Sequence, residues 1–380
     1  MHHIETAHLP VPTVRVLDHT KLIRVTGTVP AVNIAGDTQH NHRTPIFSWF
    51  QDTPLGKEIF LALYTKPCRW KRCSFCTLPS QSSPVALAPV EINDQVTQAF
   101  DALDEAQLSQ VQRVFLSNNG SILDGDTMPR VCLEFAIRQA IANCPDLKVI
   151  CLETRFETVT AEVIGWVYDC IRTSMPLKKI SLQFSGGYET QDPYLRNAIL
   201  FKGYAENHVQ DFFALCEQVM YADTHAFHVP RYPIMLDEYV MLKPAAGMTD
   251  SEAIAEATET IVHLDKLGEF YGLPVSIRLN PAFAAIGSEL YKQFEASNYT
   301  PPTLRDTYRV IECCRQRGSN LPIFVGLNNE GLTTSTASCF GNWDTTDEAY
   351  RKAVQRHNSD QDFEALREAI IAIERGNNVP

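Results

Sequence analysis

The sequence predicts an α/β protein built as a partial (β/α)6 or larger barrel of the TIM type, with an irregular N-terminal arm and a small C-terminal extension. Three observations predict it. Short apolar runs recur along the chain, helix-like patterns fill the intervals, and nearly every run ends in polar residues or glycine. Short buried strands alternating with helices imply βαβ units and a mainly parallel sheet. Chemistry in such a barrel collects at the C-terminal ends of the strands, where those polar residues stand.

Residues 1–56 are rich in Pro, Thr and His, show weak periodicity, and read as the arm. Residues 57–320 read as the barrel and 321–380 as the extension. The first expected strand is Glu58–Tyr64, which runs into a cysteine-rich loop. Arg113–Ser117 ends in Asn118, Asn119 and Gly120, and Leu147–Leu152 ends in Glu153. Ile180–Phe184 runs into Ser185, Gly186 and Gly187. Tyr239–Leu242 ends in Lys243–Pro244, Val275–Leu279 ends in Asn280–Pro281, and Ile323–Val325 is a further short strand. The clearest helix begins at Thr249, whose spacing to Glu252 is that of a capping box. Ile254, Ile261, Leu264 and Leu267 give it an apolar stripe, and Gly268 is the expected stop. A second helix is expected between Pro301 and Gly318, with Leu304, Tyr308 and Ile311 on one face.

Composition narrows the function. A net charge of −12 leaves no globally basic footprint for nucleic acid, although a local basic patch is compatible with it. No apolar run approaches membrane-spanning length, so no membrane association is expected. The start, MHHIETAHLP, has no apolar core after a basic stretch and does not read as a secretory signal. The 11 cysteines are an odd number and mostly stand singly in apolar runs. Such a pattern points to buried thiols in a reducing cytosol rather than a disulfide framework.

The exception is KPCRWKRCSFCTLPS, residues 66–80, where Cys68, Cys73 and Cys76 fall together. A loop with this spacing can present three sulfurs to an iron–sulfur cube. Structural zinc is one alternative, but it wants four ligands, commonly as two paired knuckles, and no second C-x2-C exists in the chain; thiol redox chemistry or packing is the other. Arg69, Lys71 and Arg72 in the same loop read first as solvated groups, with contact to the cluster or an anion as the other reading. Cys313 and Cys314 are adjacent on a helix and read as packing, because neighbouring helical side chains diverge by about 100°.

Three thiolates on a four-iron cluster leave one iron open, and here the chain resembles the radical S-adenosylmethionine superfamily. Phe75 precedes the last cysteine, as an aromatic residue commonly does there. The spacing departs from the usual C-x3-C-x2-C by one residue. Further segments resemble the elongator-like and oxygen-independent branch: CLETRFETVT (151–160), GYETQDPYLRNAILFKGY (187–204), MLKPAAGMTDSEAI (241–254) and RLNPAFAAIGSELYKQFEASNYTPP (278–302). The combination is most similar to the radical subunit of archaeosine synthase and its relatives. The end, SCFGNWDTTDEAYRKAVQRHNSDQDFEAL, resembles that family's terminal segment but lacks its second cysteine. Tyr221–Asp237 reads as an insertion.

The resemblance implies a [4Fe-4S] cluster held by Cys68, Cys73 and Cys76, with S-adenosylmethionine on the open iron. One electron from an external reductant of the flavodoxin or ferredoxin type then yields a 5′-deoxyadenosyl radical, which abstracts hydrogen from the substrate. It further implies that backbone at Asn118, Asn119 and Gly120 receives the methionyl ammonium, where the alternative is an ordinary strand-ending turn. Arg155 suits the methionyl carboxylate, with Glu153 beside it; the alternative is a structural pair. Gln183, Ser185 and Glu189 flank the ribose-binding turn, and Glu189 matches the family position directly. Lys243 and Asn280 are placed over the pocket, and Arg231 in the insertion is a candidate substrate contact. Cys339 stays open as an auxiliary ligand.

The expected substrate is a small polar metabolite or amino-acid-like intermediate. A modified base in tRNA, approached with a partner subunit, is the second reading; the acidic chain and the absence of a recognisable RNA-binding domain argue against it. From another class, a non-catalytic zinc-binding scaffold would also account for the thiols.

Overall fold

The computed structural model describes residues 17–24, 37–174, 179–204, 207–226, 233–327, 339–340 and 348–376. Among these residues ten strands run β1 Phe47–Thr53, β2 Gly56–Ala62, β3 Val111–Ser117, β4 Val149–Thr154, β5 Ser181–Glu189, β6 Ile234–Leu242, β7 Val275–Pro281, β8 Ala284–Ala285, β9 Ile323–Val325 and β10 Cys339–Phe340. Helices are α1 Pro89–Asp101, α2 Glu105–Leu108, α3 Arg130–Asn143, α4 Ala161–Ser174, α5 His208–Ala226, α6 Asp250–Tyr271, α7 Glu289–Glu295, α8 Leu304–Gln316, α9 Glu348–Asp360 and α10 Phe363–Glu374. One sheet takes the order β1-β2-β3-β4-β5-β6-β7-β9, and β8 pairs with β10 apart from it. Within the eight-stranded sheet β1 is antiparallel to β2 and the other neighbours run parallel, while β8 and β10 pair antiparallel. This is the curled half-barrel that the alternation of runs and helices predicts.

The period-2 pattern of the strands separates two faces. Ile59, Leu61, Val114, Leu116, Ile150, Leu152, Phe184, Leu236, Leu279 and Val325 pack outward into the main core with the helices. Phe60, Ala62, Phe115, Cys151 and Tyr239 form a second cluster on the inner face. Below that cluster lies a layer of paired charges. Arg113 donates through Nε to Gln183 (2.9 Å), through Nη2 to Asp237 (2.8 Å) and through Nη1 to Glu58. Arg278 donates to Asp237 from Nε at 2.6 Å, and Ser276 Oγ donates to the other Asp237 oxygen at 2.7 Å. Two guanidinium and two carboxylate groups thus balance at the barrel floor, and the cavity opens above them.

The first and last strands of the sheet are not neighbours, and α9 packs on both. Two side-chain amides there imitate a ninth strand. Asn358 accepts from Val325 N (2.8 Å) and donates to Val325 O (2.9 Å). Gln361 does the same at Ile323, with distances of 2.8 and 3.1 Å. An edge strand left open invites pairing with another chain; at β9 these amides occupy its hydrogen-bonding groups.

Several elements differ from the sequence expectation. Phe47–Thr53, expected within an irregular arm, is strand β1, joined to β2 by a tight turn in which Gly56 takes φ 102°. Its aromatic residues conceal the alternation, because Phe47 and Trp49 stack inward on Phe60 while Phe50 lies against the main core. Residues 17–24 of the arm lie against the barrel, with His19 paired to Asp192 and Ile23 N donating to Ala246 O. Strand β9 falls where the further short strand Ile323–Val325 was expected. Helix α6 passes through Gly268 and stops at Gly272, which takes φ 62°. Gly268 serves another purpose: a Cβ there would stand 2.7 Å from Val275 Cγ2, so it lets the helix approach β7. Of the Tyr221–Asp237 segment, read as an insertion, residues 227–232 lie outside the described residues. The segment opens as the last turns of α5 and closes as the first residues of β6, where Asp237, a buried charge inside a strand, hides the strand from an apolar-run reading.

Candidate cofactor-binding and active site

The cysteine loop follows β2 and is pinned at several points. Gly120 lies so close beneath it that a Cβ would sit 3.1 Å from Cys68 Cα and N. Ser74 N donates to Leu200 O (3.1 Å), and Ser74 O accepts from Glu289 N (2.9 Å). Trp70 donates from its indole to Phe201 O, and its ring lies on Gly203, where a Cβ would come within 2.0 Å of it.

A cavity of about 1120 Å3, open mouth included, lies at the C-terminal ends of the strands. Cys68, Cys73 and Cys76 share its wall with Phe75. Burial raises the Cys73 and Cys76 thiols, opposed only in part by Lys202 at Cys73 and by a backbone hydrogen bond from Leu78 at Cys76. Asn119 and Gly120 come from the end of β3, Glu153 and Arg155 from β4, Gly187 and Glu189 from β5. Tyr239 and Met241 come from β6, Asn280 and Phe283 from β7 and the chain after it, and Gly326 from the end of β9.

Charges on the cysteine side are paired. Arg155 donates from Nε to Glu157 (2.5 Å) and from Nη2 to Lys202 O (2.9 Å), between the rings of Trp70 and Tyr204. Burial opposes its charge, but Tyr204 and Glu157 outweigh burial and raise the pKa above the usual arginine value. Lys202 Nζ donates to Glu189 at 2.9 Å, and this carboxylate likewise overcomes burial to raise the lysine. Glu153 is driven upward by burial, with a Ser117 hydrogen bond and Arg278 acting the other way.

The structure therefore brings together Cys68, Cys73, Cys76, Phe75, Asn119, Gly120, Glu153, Arg155, Glu189 and Asn280 in one cavity. Four expected residues stand elsewhere. Asn118 turns its amide to Thr127 (3.1 Å). Gln183 belongs to the charged floor, and Ser185 donates to Asp237 O (3.0 Å) within the sheet. Both point inward, but too low on the strand to reach the mouth. Lys243 ties its ammonium to Asp250 at 2.6 Å and lies off the cavity wall, because its left-handed backbone (φ 57°) turns it toward the start of α6. Arg231 lies outside the described residues. Cys339 pairs across β10 with Ala285, two residues beyond the cavity-lining Phe283.

Sequence reasoning missed Lys202, Tyr204, Trp70, Tyr239 and Met241. Tyr239 and Met241 follow from the period-2 reading of β6. Lys202 depends on a π-helical turn, Leu195–Ile199, followed by left-handed Phe201 (φ 55°) and Gly203 (φ 72°), which aim it inward.

Among the described residues no group of three His, Cys, Asp or Glu side chains is placed to hold a single metal ion. The three thiols nevertheless fit a cluster, whose irons each take a separate sulfur. They share one wall, Gly120 lets the backbone close up beneath Cys68, and the buried Asn119 amide nitrogen, without a partner among the described residues, belongs to a residue of the same wall.

Fold and cavity define an α/β half-barrel with a thiol-bearing pocket at the C-terminal ends of its strands. No family model matches the chain, and neither does any curated protein. Among solved structures it is similar to queuine lyase from Clostridium spiroforme bound to SAM and queuine, with 15% identity over 60% of this chain and 80% of that one and a TM-score of 0.38. It is also similar to the archaeal Methanocaldococcus infernus Elp3 with an N-terminal deletion, with 13% identity over 61% of this chain and 51% of that one and a TM-score of 0.40. Likenesses this distant assign neither substrate nor residue roles.

Proposed function

We propose that the chain is a radical S-adenosylmethionine enzyme acting on a small polar metabolite or amino-acid-like intermediate. The observation that carries this is the convergence of Cys68, Cys73 and Cys76 with Arg155 and Glu189 on one cavity at the C-terminal ends of a parallel sheet. When bound, a [4Fe-4S] cluster and S-adenosylmethionine would supply a 5′-deoxyadenosyl radical able to abstract hydrogen. The chain's own residues hold and orient. The three thiolates anchor the cluster. Backbone at Asn119–Gly120 faces the methionyl ammonium, and the Arg155 fork faces the carboxylate. Glu189, fixed by Lys202, accepts from ribose hydroxyls. Tyr239, Met241, Asn280 and Phe283 wall the remaining space and take the substrate, with the Asn280 amide as the polar contact.

The cations of the described cavity wall, Arg155 and Lys202, are already paired, and Lys243 is turned away. This favours an uncharged or zwitterionic metabolite over a phosphate-bearing tRNA base, the second reading. A cytosolic setting fits the reduced thiols; no helix among the described residues is long and apolar enough to cross a membrane. Anaerobic reconstitution tests the proposal. About four iron per chain, visible absorbance, and 5′-deoxyadenosine formed from S-adenosylmethionine after reduction are expected, and all three should vanish in Cys68→Ala. A colourless protein that takes up zinc instead would replace this reading with the scaffold one.

A further inference from the structure

The cysteine loop carries four basic residues in seven positions, the exposed Arg69 and Arg72 and the half-buried Lys66 and Lys71, on a chain of net charge −12. They are not equivalent. Arg69 is neutralised by Asp124 (2.6 Å) and Asp126 (3.0 Å). Lys66, Lys71 and Arg72 have no carboxylate partner among the described residues. Arg72 stacks its guanidinium 5.4 Å from the Trp70 ring. The loop does not trail in solvent, since Trp70 is fastened to Phe201 and Gly203, and Ser74 to Leu200 and Glu289. Lys71 is held in the left-handed region at φ 48°, a conformation that costs a residue with a side chain about 1 kcal/mol or more and persists only where surroundings impose it. A rigid loop thus carries three cations without a carboxylate partner among the described residues, the exposed Arg72 stacked on Trp70 and the half-buried Lys66 and Lys71 in the same loop, and an Arg–Trp pair is the composition of an interface anchor.

We propose that this face, Lys66, Lys71 and Arg72 around Trp70, is the docking surface for a small acidic one-electron carrier protein. The proposal rests on the cluster reading, because Cys68 and Cys73 belong to the same loop and a carrier seated on it is separated from them only by the loop's thickness. The transfer is a single electron: the carrier is oxidised by one and the cluster reduced by one, with no proton moved. Charge complementarity selects the partner. An acidic protein is repelled by most of this chain's surface and attracted here, which orients the encounter as well as speeding it. Three free cations suit a transient redox contact, whose interfaces are small. They fall short of the roughly 6–10 phosphate contacts typical of a nucleic-acid footprint.

The test uses the triple variant Lys66→Glu, Lys71→Glu, Arg72→Glu, none of which lines the cavity. Binding of an oxidised acidic ferredoxin to the apo chain is measured by fluorescence anisotropy at low and high salt. Reduction of the reconstituted cluster is followed by stopped flow, with reduced ferredoxin or with dithionite as donor. Ferredoxin affinity and its reduction rate should both fall roughly tenfold or more at low salt, the salt dependence should flatten, and the dithionite rate should stay unchanged. Unchanged ferredoxin binding and rate overturn the proposal. So does loss of affinity for a bulk tRNA probe with ferredoxin binding intact, which reassigns the patch to nucleic acid. Should charge reversal cost the loop its iron, Lys66→Gln with Arg72→Gln repeats the comparison. A chain that assembles no cluster refutes the enzyme reading, whereas the apo binding measurement judges the patch by itself.

Discussion

Replacing Asp237 by Asn should cost this protein about 3–5 kcal/mol of stability, because it unbalances a buried charge network. Asp237 receives three donors: Arg113 Nη2 at 2.8 Å, Arg278 Nε at 2.6 Å and Ser276 Oγ at 2.7 Å. Burial pushes its carboxyl up, but Arg278 and Arg113 outweigh burial and hold the pKa at about 2. Asn keeps the shape and removes the charge, leaving two guanidinium groups against Glu58 alone. The shift from 3.8 to about 2 corresponds to about 2 kcal/mol at 1.36 kcal/mol per unit. The sign is that of a depressed carboxylate. The contribution is complete above the unfolded pKa and is lost as pH falls through about 3.8 toward 2. Urea unfolding at a series of pH values, wild type beside Asp237→Asn, measures both quantities. Wild-type stability should fall faster between pH 5 and 3, by roughly 1 kcal/mol more than the variant's. Adding Arg278→Gln to Asp237→Asn restores charge balance and should recover at least about 1 kcal/mol. Strict additivity of the two substitutions, or parallel pH profiles, would refute the claim that charge imbalance is the cause.

Gly120→Ala forces a methyl group to 3.1 Å from the Cys68 backbone, which cannot swing aside as a side chain would. It should cost about 1–3 kcal/mol and lower iron per chain on reconstitution while far-ultraviolet circular dichroism stays native. Asn358→Leu removes both amide bonds to Val325. It should destabilise by about 2–3 kcal/mol and release the Val325 amide to hydrogen exchange, while exchange at Phe184 in the middle of the sheet stays slow.

The parallel strands were legible because each is a compact apolar run bounded by polar or glycine residues, and this pattern needs no tertiary information. Strand β1 was hidden by its own run of aromatic residues, and two other misreadings share another cause, a residue whose neighbours lie far away in sequence. Asp237 looks like loop until Arg113 and Arg278 are seen beside it. Gly268 looks like a stop until β7 is seen to need the space. In the site, the thiols were legible because one short loop carries all three. Lys202 and Tyr204 were not, since a π-helical turn and two left-handed residues, features without a simple periodic signature, bring them to the wall. Gln183 and Ser185 had the correct face and the wrong height, and a strand's alternation gives face without height.

The two ion pairs in the cavity differ in a way that sorts their roles. Glu189 and Lys202 are each only 8% exposed, so parting them would strand a buried charge, at a cost of several kcal/mol. That pair is fixed, and a ligand meets it whole. Arg155 is 10% exposed, but its partner Glu157 is 37% exposed and already faces water. A ligand carboxylate can take the guanidinium while Glu157 swings into solvent, so the buried cation is never unpaired during the exchange. Arg155 on this reasoning alternates between an ion pair, made with Glu157 and not with the Glu153 expected from the sequence, and a ligand carboxylate. Glu157→Gln should therefore leave S-adenosylmethionine affinity unchanged or raise it severalfold, because a competitor has been removed. Arg155→Ala should weaken affinity by about one to two powers of ten, the worth of a charge-assisted hydrogen bond. Isothermal titration of the reconstituted protein measures both. Equal loss of affinity in the two variants would mean that Glu157 positions Arg155 rather than competing for it, and the exchange would be wrong.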